Sequence, residues 1–167
     1  MIPGGEVTLR PWAPADTAFV YDSCQDPELQ RWTRVPTPYT ALHAATFVER
    51  HARPQPEDDG AFFAITRTDS GEVLGSISFG HIDWAFASAE AGYWVARDVR
   101  GQGVATTALA SLVEWGRREL RLVEVRLQVL AGNVASQRVA ERVGFEVAGS
   151  ERTDGDELLA YVRILAE

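Results

Sequence analysis

The chain has 167 residues, of which 46% are hydrophobic and 24% are charged. This length favours one domain over residues 1–167 with a single core, and the composition excludes disordered chains and small disulfide scaffolds. All 16 basic residues are arginine, so mechanisms that need a lysine, such as Schiff-base and P-loop chemistry, are excluded. The net charge of -8 argues against nucleic-acid binding and favours a cationic small molecule or peptide as partner.

Cysteine and histidine usage limits metal and redox chemistry. Cys24 is the only cysteine, so no intramolecular disulfide forms, as is typical of a reducing compartment. His43, His51 and His81 have no metal-binding spacing. No stretch reaches the roughly 20 apolar residues that span a bilayer, and no charged-then-apolar leader opens the sequence. We therefore expect a cytoplasmic protein with no membrane contact and no bound metal.

The first part of the chain predicts one strand followed by helices. Val7-Thr8-Leu9-Arg10 alternates as a strand does, and the prolines after it end that strand. Apolar spacing and N-cap residues then predict three helices: Ala15 to Cys24, Asp26 to Trp32 and Thr40 to His51. Proline-rich segments at 35–38 and 53–60 predict loops.

The rest of the chain predicts a mixed α/β order. Three successive strands form an antiparallel meander: Ala61 to Thr68, Val73 to Phe79 and Ala89 to Val95. Helical periodicity then runs from Ala105 to Leu120. The last elements are a strand, a helix closed by a glycine and a hairpin: Glu124 to Val129, Val134 to Val143, Glu146 to Ser150 and Leu158 to Leu165.

A glycine-rich segment lies between the third meander strand and the long helix. Its sequence is Arg100-Gly101-Gln102-Gly103-Val104-Ala105. Glycines let the backbone approach a ligand closely, and the start of a helix attracts anions such as a pyrophosphate. The alternative is that the glycines only allow the chain to turn and bind no ligand. A Rossmann dinucleotide site is disfavoured, because Thr106 replaces the third glycine and the preceding strands are antiparallel.

Three short motifs lie along the second half of the chain. Arg100, Gly103 and Ala105 match a pattern of Gln or Arg, two residues, Gly, one residue, then Gly or Ala. The strand before them reads Glu90-Ala91-Gly92-Tyr93-Trp94-Val95. An Asn-x-x-Ser to Gly-Phe pattern follows: Asn133, Ser136, Val139, Glu141, Gly144 and Phe145. Together the motifs resemble the GNAT family of acetyl-CoA-dependent N-acetyltransferases, and the last two are similar to its RimJ/RimL-like branch, which acetylates ribosomal proteins.

The resemblance implies an α/β (α+β) fold with a mixed, mostly antiparallel central sheet. Helices flank this sheet, which splays between its fourth and fifth strands to hold acetyl-CoA as co-substrate. By the same resemblance, the backbone at Trp94 and Val95 pairs with the pantetheine arm, and the Val95 amide donates to the thioester carbonyl. Asn133 would bind the pantetheine, and a plain helix N-cap is its structural alternative. The remaining predicted cofactor residues form the glycine-rich turn and the helix start: Arg100, Gly101, Gln102, Gly103, Val104, Ala105 and Thr106.

Acetyl transfer to an amine requires a base that removes a proton from the ammonium. Glu90 is the candidate, because it shares one strand face with Gly92 and Trp94 and can act directly or through water. A solvent-facing glutamate without a role is the alternative. Asp83 is a weaker candidate.

The leaving thiolate requires stabilisation or a proton. In many GNAT enzymes a tyrosine seven residues after the asparagine fills this role, and Ala140 stands there in this chain. Ser136 is the candidate replacement. Because serine is a poor acid, it either hydrogen-bonds the sulfur or orients a water, and a thiolate can also leave without an acid.

These features predict transfer of acetyl from acetyl-CoA to a cationic primary amine, either a protein N-terminal α-amine or a small molecule. The alternative is a non-catalytic acyl-CoA-binding or sensing domain. Residues 97–142 carry eight arginines and five acids, a net charge of +3, whereas the remainder carries -11. We therefore expect the acceptor to meet the acidic part of the chain. The sequence leaves self-association open, and only the general frequency of homodimers favours one.

Overall fold

The computed structural model describes residues 1–53 and 60–165, so most of the predicted 53–60 loop lies outside the described residues. Within them the chain forms eight strands: β1 (Ile2–Gly4), β2 (Val7–Arg10), β3 (Ala61–Arg67), β4 (Val73–Asp83), β5 (Ser88–Val95), β6 (Glu124–Leu130), β7 (Glu146–Thr153) and β8 (Asp156–Ile164). The α-helices in the same residues are α1 (Thr17–Ser23), α2 (Pro27–Trp32), α3 (Ala41–Arg50), α4 (Val104–Glu119) and α5 (Val134–Arg142).

The strands form one sheet in the order β1-β2-β3-β4-β5-β6-β8-β7. Every neighbouring pair is antiparallel except β5 and β6, which are parallel. This arrangement confirms the predicted mixed, mostly antiparallel sheet flanked by helices. Strand β1 was not predicted, because its three residues include Pro3 and are too few to show alternation.

Apolar side chains cover both faces of the sheet. On one face, buried Phe79, Val125 and Tyr161 pack in the same cluster as Leu109 and Leu112 of α4. A side chain at Gly116 of α4 would come within 2.8 Å of Phe79, so a glycine lets this helix approach the sheet closely.

The opposite face carries a second and smaller cluster. Trp12 and Ala64 are buried there with Val20 of α1 and Val48 of α3, and Trp94 packs against them. Helices α1 and α3 therefore lie on the face of β5 that carries Trp94. Strand β5 contributes to both core clusters, since Val95 belongs to the first and Trp94 packs against the second.

Strands β4 and β7 extend three or four residues past the ends that the sequence predicts. Strand β4 continues to Asp83 past a bulge between Phe79 and His81 that leaves Gly80 without a partner in the ladder. Strand β7 continues to Thr153 along an exposed edge. Alternation does not reveal these extensions, because a bulge shifts the alternation and a fully exposed strand has no apolar face.

Candidate active site

Pairing between β5 and β6 stops halfway along β5. The parallel register runs from Ser88↔Glu124 to Ala91↔Leu127, and β6 continues to Leu130 in contact with β8 alone. Residues 92–95 of β5 therefore border an opening, which we call the β5–β6 gap. This gap is the splay predicted between the fourth and fifth strands of the sequence analysis.

The backbone of β5 presents amides to this gap. The Ala96 N–H donates to the Leu74 carbonyl at 2.9 Å, so the backbone of Ala96 faces β4. Because alternate residues of a strand direct their backbone groups to opposite edges, Trp94 also faces β4, whereas Tyr93 and Val95 face the gap. The backbone of Trp94 therefore lies in the β4–β5 ladder, and Tyr93 takes the gap-facing position that the sequence analysis gave to Trp94.

The glycine-rich turn leads from this region into α4. Gly101 and Gly103 have φ angles of +76° and +81°, which L-residues with side chains rarely adopt. The first helical hydrogen bond runs from the Thr107 N–H to the Gly103 carbonyl at 3.0 Å. The N–H groups of residues 104–106 therefore have no helical acceptor, and the positive end of the helix dipole lies beside them. This turn is suited to bind an anion.

The side chain of Arg100 turns toward α2. Its Nη2 donates to Asp26 Oδ2 at 2.6 Å, its Nη1 donates to Glu28 Oε2 at 3.0 Å, and its Nε donates to the Val95 carbonyl at 3.2 Å. Burial acts to raise the pKa of Asp26, but the Arg100 guanidinium and the Glu28 amide outweigh it and lower that pKa below its ordinary value. Arg100 thus joins the end of β5 to the start of α2, a contact that the sequence motif does not indicate.

Glu90 lies just before the strands separate. Its neighbours in register are His81 on β4 and Arg126 on β6. The Arg126 guanidinium is bonded to Glu124, and Glu90 is half-buried with no hydrogen bond or ion pair to any residue that the structure describes. A carboxylate at this place can accept a proton or orient a water.

Ser136 and Asn133 lie at the start of α5. Asn133 is the N-cap of that helix, since its Oδ1 accepts the Ser136 N–H at 3.1 Å. Its side-chain nitrogen donates to none of the described residues. The Ser136 hydroxyl lies 2.6 Å from the Tyr93 hydroxyl of β5. Burial raises the pKa of Tyr93, and the hydrogen bond to Ser136 partly offsets this effect.

Tyr93 was missed as a functional residue in the sequence analysis. Its side chain is on the face of β5 opposite to Glu90, and it links β5 to α5 beyond the point where β5 and β6 separate. The sequence shows only that Tyr93 belongs to the strand motif. Its partner Ser136 is 43 positions further along the chain, so local sequence patterns do not reveal the contact.

Helix α2 and the loop after it cross the mouth of the gap on the side of Glu90. The start of α2 is held by Arg100, as described above. At its end, the Trp32 ring lies against Gly132, where a Cβ would be 3.2 Å away, and Arg34 Nη2 donates to Gln128 Oε1 at 3.1 Å. Trp32 therefore borders the gap, whereas Trp84 lies at the β4–β5 turn near the opposite end of β5.

Comparison with protein families identifies this architecture. The model of the acetyltransferase (GNAT) domain matches residues 6–146. The chain belongs to the GNAT family. This result confirms the family predicted from the three motifs. In the described ranges 1–53 and 60–165, no group of three or more metal-binding side chains is present, and no helix is long and apolar enough to cross a membrane.

Relatives of this GNAT chain include ribosomal acetyltransferases. YdaF of Bacillus subtilis (strain 168), provisionally named a ribosomal N-acetyltransferase, is 37% identical over 82 residues, which are 49% of this chain and 45% of that protein. The ribosomal-protein-serine acetyltransferase of Escherichia coli (strain K12) is 33% identical over 87 residues, 52% of this chain and 48% of the relative. The chain thus matches less than half the length of these two relatives. Their names agree with the RimJ/RimL-like branch.

Solved structures show the same fold over almost the whole chain. RimL, a ribosomal L7/L12 alpha-N-protein acetyltransferase in complex with coenzyme A, has a TM-score of 0.87 and 22% identity, with 98% of this chain and 97% of that chain covered. The Microcin C7 self immunity acetyltransferase MccE, in complex with acetyl-CoA and AMP, has a TM-score of 0.83 and 21% identity, with 96% and 93% covered. The predicted GNAT fold is confirmed.

Proposed function

We propose that this chain transfers the acetyl group of acetyl-CoA to a primary amine by direct attack in a ternary complex. The observation that carries the proposal is the β5–β6 gap itself. A strand edge without a neighbouring strand, a turn suited to bind an anion, and a carboxylate with no partner among the described residues lie there. Two GNAT neighbours with the same fold contain acetyl-CoA or coenzyme A, which supports the same co-substrate here.

The residues at the gap fit an elongated thioester with a pyrophosphate at one end. The gap-facing amides of Tyr93 and Val95 would hold the pantetheine arm as a strand partner does. The side-chain nitrogen of Asn133, which donates to none of the described residues, would add a donor. The amides of residues 102–106 would hold the pyrophosphate, because two of the residues that shape this turn adopt left-handed backbone conformations. Apart from Asn133, these assignments use backbone groups, so they tolerate variation in most side chains.

Glu90 and Val95 would act on the reacting groups. Glu90 would take a proton from the acceptor ammonium, directly or through a water, so that the neutral amine attacks the carbonyl carbon of the thioester. The Val95 amide would donate to the carbonyl oxygen as it gains negative charge. The carbon–nitrogen bond forms, the carbon–sulfur bond breaks, and the sulfur leaves with the electron pair beside Ser136. The nitrogen, now bonded to the acetyl carbon, gives its second proton to water, which leaves the neutral amide product.

A protein N-terminal α-amine is the acceptor we favour. One relative is named a ribosomal-protein-serine acetyltransferase, and YdaF is provisionally named a ribosomal N-acetyltransferase. Trp32 of α2 borders the gap on the side of Glu90, where a peptide end would enter. The acidic remainder of the chain, at -11, suits a cationic acceptor. A small-molecule amine is the alternative acceptor.

The test measures release of coenzyme A from acetyl-CoA with three probes: a peptide with a free N-terminal serine, the same peptide with a blocked α-amine and one lysine, and spermidine. We expect the first peptide to be acetylated at its α-amine, as located by mass spectrometry. If only lysine or spermidine is acetylated, the assignment of a protein α-amine as the acceptor is wrong. Release with none of the probes, together with tight binding of acetyl-CoA, would support the non-catalytic alternative.

A substitution tests the base. Glu90→Gln should lower the turnover number by at least about 100-fold, with the affinity for acetyl-CoA unchanged, because a positioned base contributes about 100- to 10,000-fold. The matched control is Glu146→Gln, at an exposed residue of β7, which should retain full activity. Activity of Glu90→Gln at the wild-type rate would disprove the assignment of the base.

A further inference from the structure

The hydroxyl pair of Tyr93 and Ser136 is the only side-chain hydrogen bond between β5 and α5 among the residues that the structure describes. The two oxygens are 2.6 Å apart. Tyr93 lies two residues beyond Ala91, where the pairing of β5 with β6 ends, so the bond crosses the region where the sheet itself gives no support. It lies on the face of β5 opposite to Glu90, and each oxygen is on a residue that the core only partly covers.

The direction of this hydrogen bond follows from the chemistry of the two groups. A phenol has one proton, and Ser136 Oγ is the only partner of the Tyr93 hydroxyl in the described structure. A largely buried phenol needs an acceptor for that proton, and burial keeps it protonated by raising its pKa. Either oxygen could be the donor at this distance. We assign the donor role to Tyr93 and the acceptor role to Ser136, because the phenol has no other acceptor among the described residues.

This direction leaves the proton of the Ser136 hydroxyl available. A serine inside a helix often donates to the carbonyl four residues earlier, but residue 132 precedes α5 and accepts no such bond from Ser136. The hydroxyl thus has no acceptor in the described parts of the chain. A hydroxyl that accepts one hydrogen bond is polarised and becomes a stronger donor.

We propose that Tyr93 is a positioning residue that holds the Ser136 hydroxyl as a hydrogen-bond donor to the sulfur of coenzyme A. This inference rests on the proposed function, because it assigns the sulfur to the β5–β6 gap. When the carbon–sulfur bond breaks, the sulfur keeps the electron pair as a thiolate and receives the hydrogen bond from Ser136. No proton leaves Ser136 or Tyr93, and the thiolate takes its proton from water after release.

The first test needs no acceptor amine. The pKa of the thiol of bound coenzyme A is measured by ultraviolet absorption of the thiolate during a pH titration, in the wild type, Tyr93→Phe, Ser136→Ala and the double variant. A donor to the thiolate lowers this pKa, so each single variant should raise it by about one pH unit, a tenfold loss of thiolate stabilisation. The double variant should titrate like Ser136→Ala, because Tyr93 acts only through Ser136.

A control variant and an unfolding measurement separate this role from an effect on folding. Tyr161→Phe removes a hydroxyl from a buried tyrosine in the same core cluster and should leave the pKa of the bound thiol unchanged. Thermal unfolding of each variant shows whether the fold is retained. If Tyr93→Phe does not fold stably, Tyr93→Trp is the second variant. Its ring fills the site but places no hydroxyl beside Ser136, so it should raise the pKa of the bound thiol by the same amount.

Several outcomes would overturn the inference. They are an unchanged thiol pKa in Tyr93→Phe, a shift in Tyr93→Phe without one in Ser136→Ala, and additive shifts in the double variant. Failure of the proposed function gives a different result, namely no acetylation of any amine while the thiol pKa still depends on both residues. Absence of coenzyme A binding would overturn both.

With an active acceptor, turnover gives a second readout. Tyr93→Phe should lower kcat by about tenfold and leave the KM for acetyl-CoA within about twofold, because the hydrogen bond strengthens as the sulfur gains charge. A rise in KM with an unchanged kcat would mean that Tyr93 only shapes the binding site.

Discussion

Different interactions hold the helices on the two sides of the β5–β6 gap. On the cofactor side, Leu109 and Leu112 of α4 are fully buried against the sheet. On the acceptor side, the start of α2 is held by Arg100 through Asp26 and Glu28, and Glu28 is mostly exposed. Apolar packing of the first kind fixes one geometry, whereas partly exposed ion pairs are weak and respond to salt.

Under the proposed function, this difference separates the binding of the two substrates at the gap. A co-substrate held by backbone amides would need a rigid frame, and the core around α4 is suited to supply it. The proposed acceptor would enter beside α2, where Leu29 packs in the second core cluster but the start of the helix is held by partly exposed ion pairs. We therefore expect variants on the two sides to affect the two substrates separately.

Gly103→Val should give the largest effect on the cofactor side. A residue with a side chain at a φ of +81° costs about 1–3 kcal/mol, so the turn relaxes and the affinity for acetyl-CoA falls by about 10- to 100-fold. Isothermal titration calorimetry with acetyl-CoA measures the loss. The control is Gly71→Val, at a φ of +75° in the β3–β4 turn, which carries the same strain away from the gap. Equal losses of affinity in both variants would show that the strain acts through overall stability.

Asp16 should give the next largest effect, on the stability of the acceptor side. It is 5% exposed and accepts two hydrogen bonds from Arg10, at 2.7 and 2.9 Å, and one from the Ala13 N–H at 2.8 Å. Asp16→Asn should lower the free energy of unfolding by about 2 kcal/mol, because it removes the charge that Arg10 neutralises. Urea unfolding measures the loss, and Asp69→Asn in the exposed β3–β4 turn is the control.

The pH dependence of this loss has a definite sign. Burial acts to raise the pKa of Asp16, but the bonds from Arg10 and Ala13 and the charge of Arg10 outweigh it, and the pKa lies below its ordinary value. The stabilisation is therefore fully present above about pH 4, the ordinary value for aspartate, and is lost as the pH falls through the folded pKa. The difference between the wild type and Asp16→Asn should narrow over that range, and a constant difference would contradict the assignment.

Arg100→Ala should give a smaller effect, and it tests most directly whether the two sides of the β5–β6 gap act on different substrates. Loss of the contacts to Asp26 and Glu28 loosens α2, so the KM for the acceptor should rise by about tenfold, the effect of about one charged hydrogen bond. The affinity for acetyl-CoA should change by less than about threefold. Arg117→Ala, which removes an exposed ion pair on α4, is the control. A fall in acetyl-CoA affinity instead would make Arg100 a direct ligand of the co-substrate.

The sequence predicts the cofactor side of the gap better than the acceptor side. The glycine-rich turn and the N-cap role of Asn133 follow from local rules, because backbone conformation and capping depend on neighbouring residues. The contacts of Arg100 with Asp26 and of Tyr93 with Ser136 do not follow from local rules. The two residues of each pair are 74 and 43 positions apart, so the contacts depend on how separate elements pack. The backbone direction at Trp94 also required the register of β4 against β5, which alternation alone does not fix.

Added salt should give the smallest effect, a rise in the KM for a cationic acceptor peptide that a neutral peptide does not show. Residues outside 97–142 carry a net charge of -11, and Glu90 has no cationic partner in the described structure, so a cationic acceptor gains from long-range attraction. From about 50 to about 300 mM NaCl, the KM for a peptide with two extra positive charges should rise by about threefold, and that for the same peptide with neutral side chains should change little. Initial rates at saturating acetyl-CoA measure both values. Equal salt dependence for the two peptides would mean that the acidic residues act on solubility and not on acceptor binding.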